Sequence, residues 1–78
     1  MEGSMKETKN EKFVRIAEAR TNKIISMIKL LGNCSNTNTY DYSKTDIKKI
    51  FSAIEEEIRI AKSRFEAVEN NEKKFKLK

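Results

Sequence analysis

Proline and histidine are absent from this 78-residue chain, cysteine occurs once and glycine twice. Without proline, no backbone amide is lost to a ring that forbids a continuing helix. Gly3 and Gly32 leave a single internal position for a break. The lone Cys34 excludes an internal disulfide, and with no histidine there is no Cys/His set for structural zinc. These absences point to a reducing, cytoplasmic setting. No apolar run approaches the roughly 20 residues a membrane span needs, and the first residues lack the apolar core of a secretory signal. A soluble chain with no membrane partner is therefore expected. There is no glycine-rich phosphate loop and no nucleophile elbow, so neither an enzyme nor a cofactor nor a small-molecule substrate is expected.

What the chain does have is helical periodicity. From Ser43 to about Asn70, the large apolar residues fall at Ile47, Phe51, Ile54, Ile58, Ala61, Phe65 and Val68. Separations alternating four and three keep one stripe facing a partner helix. Ser43 and Asp46 form a capping box at its start, the carboxylate reaching back to the Ser43 amide. A first amphipathic helix is expected over residues 10–31, with Phe13, Ile16, Ala17, Ile24, Met27, Ile28 and Leu31 on one side. Arg15, Glu18, Asn22, Ser26 and Lys29 gather on the other. Asn10 is the expected N-cap, with Glu11 favoured by the helix dipole in the first turn. Gly32 is the expected left-handed stop. Residues 32–43 then form the connection, rich in side chains that compete for backbone hydrogen bonds. Outside the helices, residues 1–9 are expected to be disordered, with residues 1–4 resembling a cloning remnant ahead of Met5. Residues 71–78 form a basic tail expected to fray unless docked.

Two helices joined by one loop predict an all-α fold, an antiparallel two-helix hairpin. Sliding the stripes together sets Leu31 against Ile47, Met27 against Phe51, Ile24 against Ile54, Arg20 against Ile58, Ala17 against Ala61 and Phe13 against Phe65. A lone hairpin of this size buries little apolar surface against the entropy of ordering it. A homodimer is therefore expected, a four-helix bundle using the flanks Ile25, Leu30, Ile50, Ile60 and Val68.

Arg20 interrupts the first stripe. Either its stem packs while its guanidinium snorkels to the edge, or the head is partly buried and fixed by Glu57 or Glu55 as a polar element setting register. Glu55, Glu56 and Glu57 point about 100° apart in succession, which does not suit a shared metal or acid/base pair. Cys34, just past a helix C-terminus, has no electrostatic help toward a thiolate.

The formal charge is +5. Residues 5–30 carry seven Lys and Arg against three acids, residues 43–69 balance six against six, and residues 70–78 carry four lysines against Glu72. A solvated surface explains this as well as a phosphate-binding one does. The connection is the best candidate site, because a loop of this length between bundle helices is disproportionately functional. Tyr40 and Tyr42 offer flat faces with polar tips, suited either to covering the bundle end or to anchoring a partner. Asn33, Asn36 and Asn38 offer donors and acceptors. In the hairpin, Lys29, Lys44, Lys48 and Lys49 gather beside them, and basic groups beside aromatics suit phosphates and bases. Lys12, Arg15 and Lys23 are further cations on the first helix. The pattern lacks the short turn and third helix of a helix-turn-helix reader. Two partner classes stay open: nucleic acid, or a nucleic-acid-handling complex, at the loop end, and a protein helix docked on the apolar stripe by an inhibitor or antitoxin-like module.

The segments Ala19-Arg20-Thr21-Asn22-Lys23-Ile24, Leu30-Leu31-Gly32-Asn33-Cys34-Ser35-Asn36, Tyr40-Asp41-Tyr42, Asp46-Ile47 and Lys49-Ile50-Phe51 resemble short proteins carried by mobile genetic elements of Gram-positive bacteria. The resemblance spans about residues 13–65. It implies a small accessory protein and carries over no activity and no functional residue.

Overall fold

The computed structural model of the chain describes residues 6–75, with side chains from residue 6 to residue 69. The described residues are all-helical, with two helices and no strand, α1 over Lys9–Asn33 and α2 over Lys44–Phe75. The chain divides into two units, Met1–Asp41 and Tyr42–Lys78, each built on one of these helices.

The N-terminus of α1 is set by Thr8. Its hydroxyl accepts from the Glu11 amide at 3.0 Å, and the Glu11 carboxylate accepts from the Thr8 amide at 3.0 Å. This Thr-x-x-Glu box satisfies two amides that have no partner within the helix. Asn10 therefore sits inside the first turn, and the N-cap expected there belongs to Thr8. Of the N-terminal segment expected to be disordered, residues 1–5 lie outside the described residues. Lys6, Glu7 and Thr8 are non-helical, and Lys9 is already in α1.

At the other end, α1 runs through Gly32 to Asn33, past the expected stop. Among the described residues no backbone takes a positive φ, so Gly32 does not use the conformation that only glycine adopts cheaply. The end is closed by tightening. Cys34 caps in a right-handed conformation, and the amides of Cys34, Ser35 and Asn36 donate to the carbonyls of Leu31, Gly32 and Asn33. Such three-residue bonds take up carbonyls that the α-helical pattern leaves over.

Ser43 begins α2 with the same device. Its hydroxyl accepts from the Asp46 amide at 3.0 Å, and the Asp46 carboxylate accepts from the Ser43 amide at 2.9 Å. The helix continues through the polar Asn70-Asn71-Glu72 to Phe75, beyond its expected end. Loss of the apolar stripe does not stop a helix that meets neither proline nor glycine and is rich in glutamate and lysine. Of the basic tail, residues 76–78 lie outside the described residues.

Among the described residues no side chain is buried. Ile16, Ala17, Leu31, Ile47 and Ile54 are half-buried, all on the stripes. Among the described residues no helix is long and apolar enough to cross a membrane.

Candidate functional site

Each helix presents its apolar stripe as an exposed surface. On α1, Phe13, Ile24, Met27 and Ile28 are exposed, Met27 at 59%. On α2, Phe51, Ile58 and Phe65 are exposed, Phe65 at 67%. These exposed residues are interspersed along the stripes with the half-buried Ile16, Ala17, Leu31, Ile47 and Ile54.

Arg20 is exposed on α1, within the stripe, and Glu57 is exposed on α2, on the flank of its stripe. Among the described residues the ion pairs lie elsewhere. Arg15 donates from Nε and Nη2 to both carboxylate oxygens of Glu7 at 2.7 and 2.9 Å. Arg59 grips Glu56 through the same fork at 3.0 and 2.7 Å. The guanidinium's planar pair of donors matches a carboxylate's two oxygens, so both pairs are bidentate. The hydrogen bond from Arg15 holds the Glu7 carboxyl below its ordinary value, and the bond from Arg59 does the same for Glu56. Both pairs are solvent-exposed, so each contributes little to stability. Neither clamp was anticipated from sequence: Glu7 lies before the Thr8 cap, outside the helical period that carries Arg15, whereas Glu56 and Arg59 are an i,i+3 pair whose spacing on α2 could have revealed it.

The loop is built around Asn36. Its carbonyl accepts from the amides of Thr39 at 3.1 Å and Tyr40 at 2.9 Å. Its side-chain Oδ1 accepts from the Asn38 amide at 3.0 Å, and its Nδ2 donates to Thr39 Oγ1 at 3.5 Å. This is an Asx turn, in which a short side chain substitutes for a backbone strand of the turn. Asn36 thus organises the loop and fixes the entry of Tyr40. Its amide is engaged in the turn, which leaves Tyr40, 49% exposed, as the group that the first unit offers outward here.

Of the remaining candidate residues, Lys29 lies on α1, and Tyr42, Lys44, Lys48 and Lys49 belong to the second unit. Lys44 and Lys48 are one turn apart on one side of α2, and Lys49 lies on its back. None of Lys29, Lys44, Lys48 and Lys49 makes an ion pair among the described residues. Lys44 occupies the first turn of α2, where Asp46 supplies the carboxylate that the helix dipole favours. Cys34 is a free thiol at the surface. Among the described residues no group of three Cys, Asp or Glu side chains is placed to hold a metal ion.

No family model, no curated protein and no solved structure matches the chain.

Proposed function

We propose that this protein is a non-enzymatic helix-packing module. The observation that carries this reading is the apolar stripe of each helix, Phe13 to Leu31 on α1 and Ile47 to Val68 on α2, most of whose large side chains are exposed. A stripe of this kind is stable in water only when another covers it. The two stripes share one alternation of four and three, so they mesh in antiparallel register with Phe13 at the level of Phe65 and Leu31 at the level of Ile47. On one flank of that register Lys23 and Arg20 fall within two residues of the level of Glu57 and Leu30 within two of Ile50, so that charge lies near opposite charge and apolar near apolar. A second copy then completes a four-helix bundle. Sedimentation with circular dichroism tests this: a helical dimer at low micromolar concentration is expected, and a folded monomer would contradict it.

A second reading adds a ligand at the loop end. The absence of acidic partners among the described residues for Lys29, Lys44, Lys48 and Lys49 favours a phosphate backbone, with the exposed ring of Tyr40 for stacking. Salt discriminates the two. Binding to DNA or RNA weakens steeply between 50 mM and 200 mM salt, whereas a helix seated on the apolar stripe survives 0.5 M. A foreign helix taking the place of the second copy is the antitoxin-like alternative, and it shares the salt insensitivity.

A further inference from the structure

α1 also carries a second row, Val14, Glu18, Thr21, Ile25, Ile28 and Gly32, whose last member is helical because the helix continues past Leu31. The separations again alternate four and three, and at about 100° per residue this row lies roughly 90° round the helix from the first stripe. Val14, Ile25 and Ile28 make this row apolar at three of its six positions, with Ile28 shared with the edge of the first stripe, and two such faces about a quarter turn apart are what a helix needs to touch two neighbours in a square bundle. Val14, Ile25 and Ile28 are 43%, 46% and 42% exposed. In the hairpin register the opposite flank of α1, with Lys23 and Leu30, lies near the level of Glu57 and Ile50, so this row is the apolar surface of α1 left to cover.

Resting on the helix-packing reading, we propose that the occupant of this second seam is the same seam of a second copy, laid antiparallel. Two features of the row favour a copy of itself, and its spacing permits one: it reads the same in both directions, as that of the first stripe does, so that under a two-fold axis Val14 meets Gly32 of the second copy, Glu18 meets Ile28, and Thr21 meets Ile25. The one charged member, Glu18, comes level with Lys29 of the second copy at the seam's edge, and the two-fold repeats that pair. Finally, a shallow hollow on α1 is lined by Phe13, Val14, Ala17, Glu18, Thr21 and Asn22. It contains the four positions i, i+3, i+4 and i+7 that form the hole for a knob, and the palindrome delivers Ile28 of the second copy to it.

The test is sedimentation of full-length variants with helicity followed in parallel. Ile25→Glu places a charge at the centre of the seam twice over and is expected to weaken self-association at least about 100-fold while α-helix content persists. Glu18→Lys and Lys29→Glu are each expected to weaken it about threefold to tenfold, and the double variant to restore it. Ser26→Glu, on the far face of α1, is expected to leave it unchanged. A wild type that is monomeric at 100 μM, an Ile25→Glu variant that still dimerises, or a double charge swap without recovery overturns the proposal. A disulfide between cysteines placed at 17 and 61 separates the two readings. If it forms within one chain in monomeric Ile25→Glu, the hairpin stands independently of the seam. If the seam variants behave as expected but that disulfide never forms, the seam stands and the hairpin fails.

Discussion

At the scale of single residues, the termini of both helices are decided by side chains that satisfy backbone amides. Thr8→Ala removes one half of the α1 box and is expected to cost about 1 kcal/mol, as is Ser43→Ala at α2, both read from thermal unfolding by circular dichroism. The Glu7 clamp gives a pH dependence of defined sign. The Arg15 hydrogen bond lowers the Glu7 carboxyl below its ordinary 4.5, with slight burial opposing it. The folded state therefore binds the proton less readily than the unfolded one. The clamp's contribution is complete above pH 4.5 and is lost as pH falls through the lower folded value. Glu56 behaves alike. An acid titration of helicity is expected to show a smaller fall for Glu7→Gln than for the wild type, because the variant lacks the contribution already at neutral pH; an equal fall would dismiss the clamp. Arg20, inside the stripe, is expected to act on register. Arg20→Leu should stabilise the fold and alter the oligomeric state, and an unchanged sedimentation profile would reduce it to a side chain snorkelling at the edge.

At the scale of elements, the helices were legible from sequence and their ends only in part. Periodicity located α1 and α2 because apolar spacing at 3.6 residues per turn is strong over segments of this length. The Ser43–Asp46 box was readable because the same two residues that make it also precede an apolar run. Thr8–Glu11 has the identical pattern, but Asn10 offered a competing cap two residues nearer the stripe. Gly32 misled for a different reason. A glycine after the last apolar residue usually supplies a left-handed stop, yet here the helix tolerates it and ends through right-handed tightening at Cys34. Adding a Cβ at Gly32 meets no atom within 4 Å. Gly32→Ala is therefore expected to stabilise α1 by about 0.5–1 kcal/mol in thermal unfolding, and destabilisation would show that this position needs glycine. In the loop, the polar composition was plain from sequence but the role of Asn36 was not. Whether an asparagine binds outward or turns inward depends on backbone geometry two and three residues away, which composition does not specify.

For the whole molecule, the physics of the exposed stripes dominates. Helices of 25 and 32 residues, each with an uncovered apolar face, gain most of their stability by packing, since helix propensity alone leaves isolated helices marginal in water. The proposed bundle assigns each seam an occupant: the first seam of α1 to α2, and the second to another copy. In that bundle the loop lysines and Tyr40 would lie at one end, where salt-sensitive binding would mark a nucleic-acid partner. The antiparallel register is the step on which all of this rests. The most direct measurement pairs Ala17→Cys with Ala61→Cys in a Cys34→Ser background, under mild oxidation at neutral pH. Register-matched seams bring the two smallest facing residues within disulfide reach, so rapid formation of one intrachain bond is expected, with none for a control pairing Ala17→Cys with Arg59→Cys on the outer face of α2. Equal crosslinking of the two pairs, or none at position 61, would contradict it.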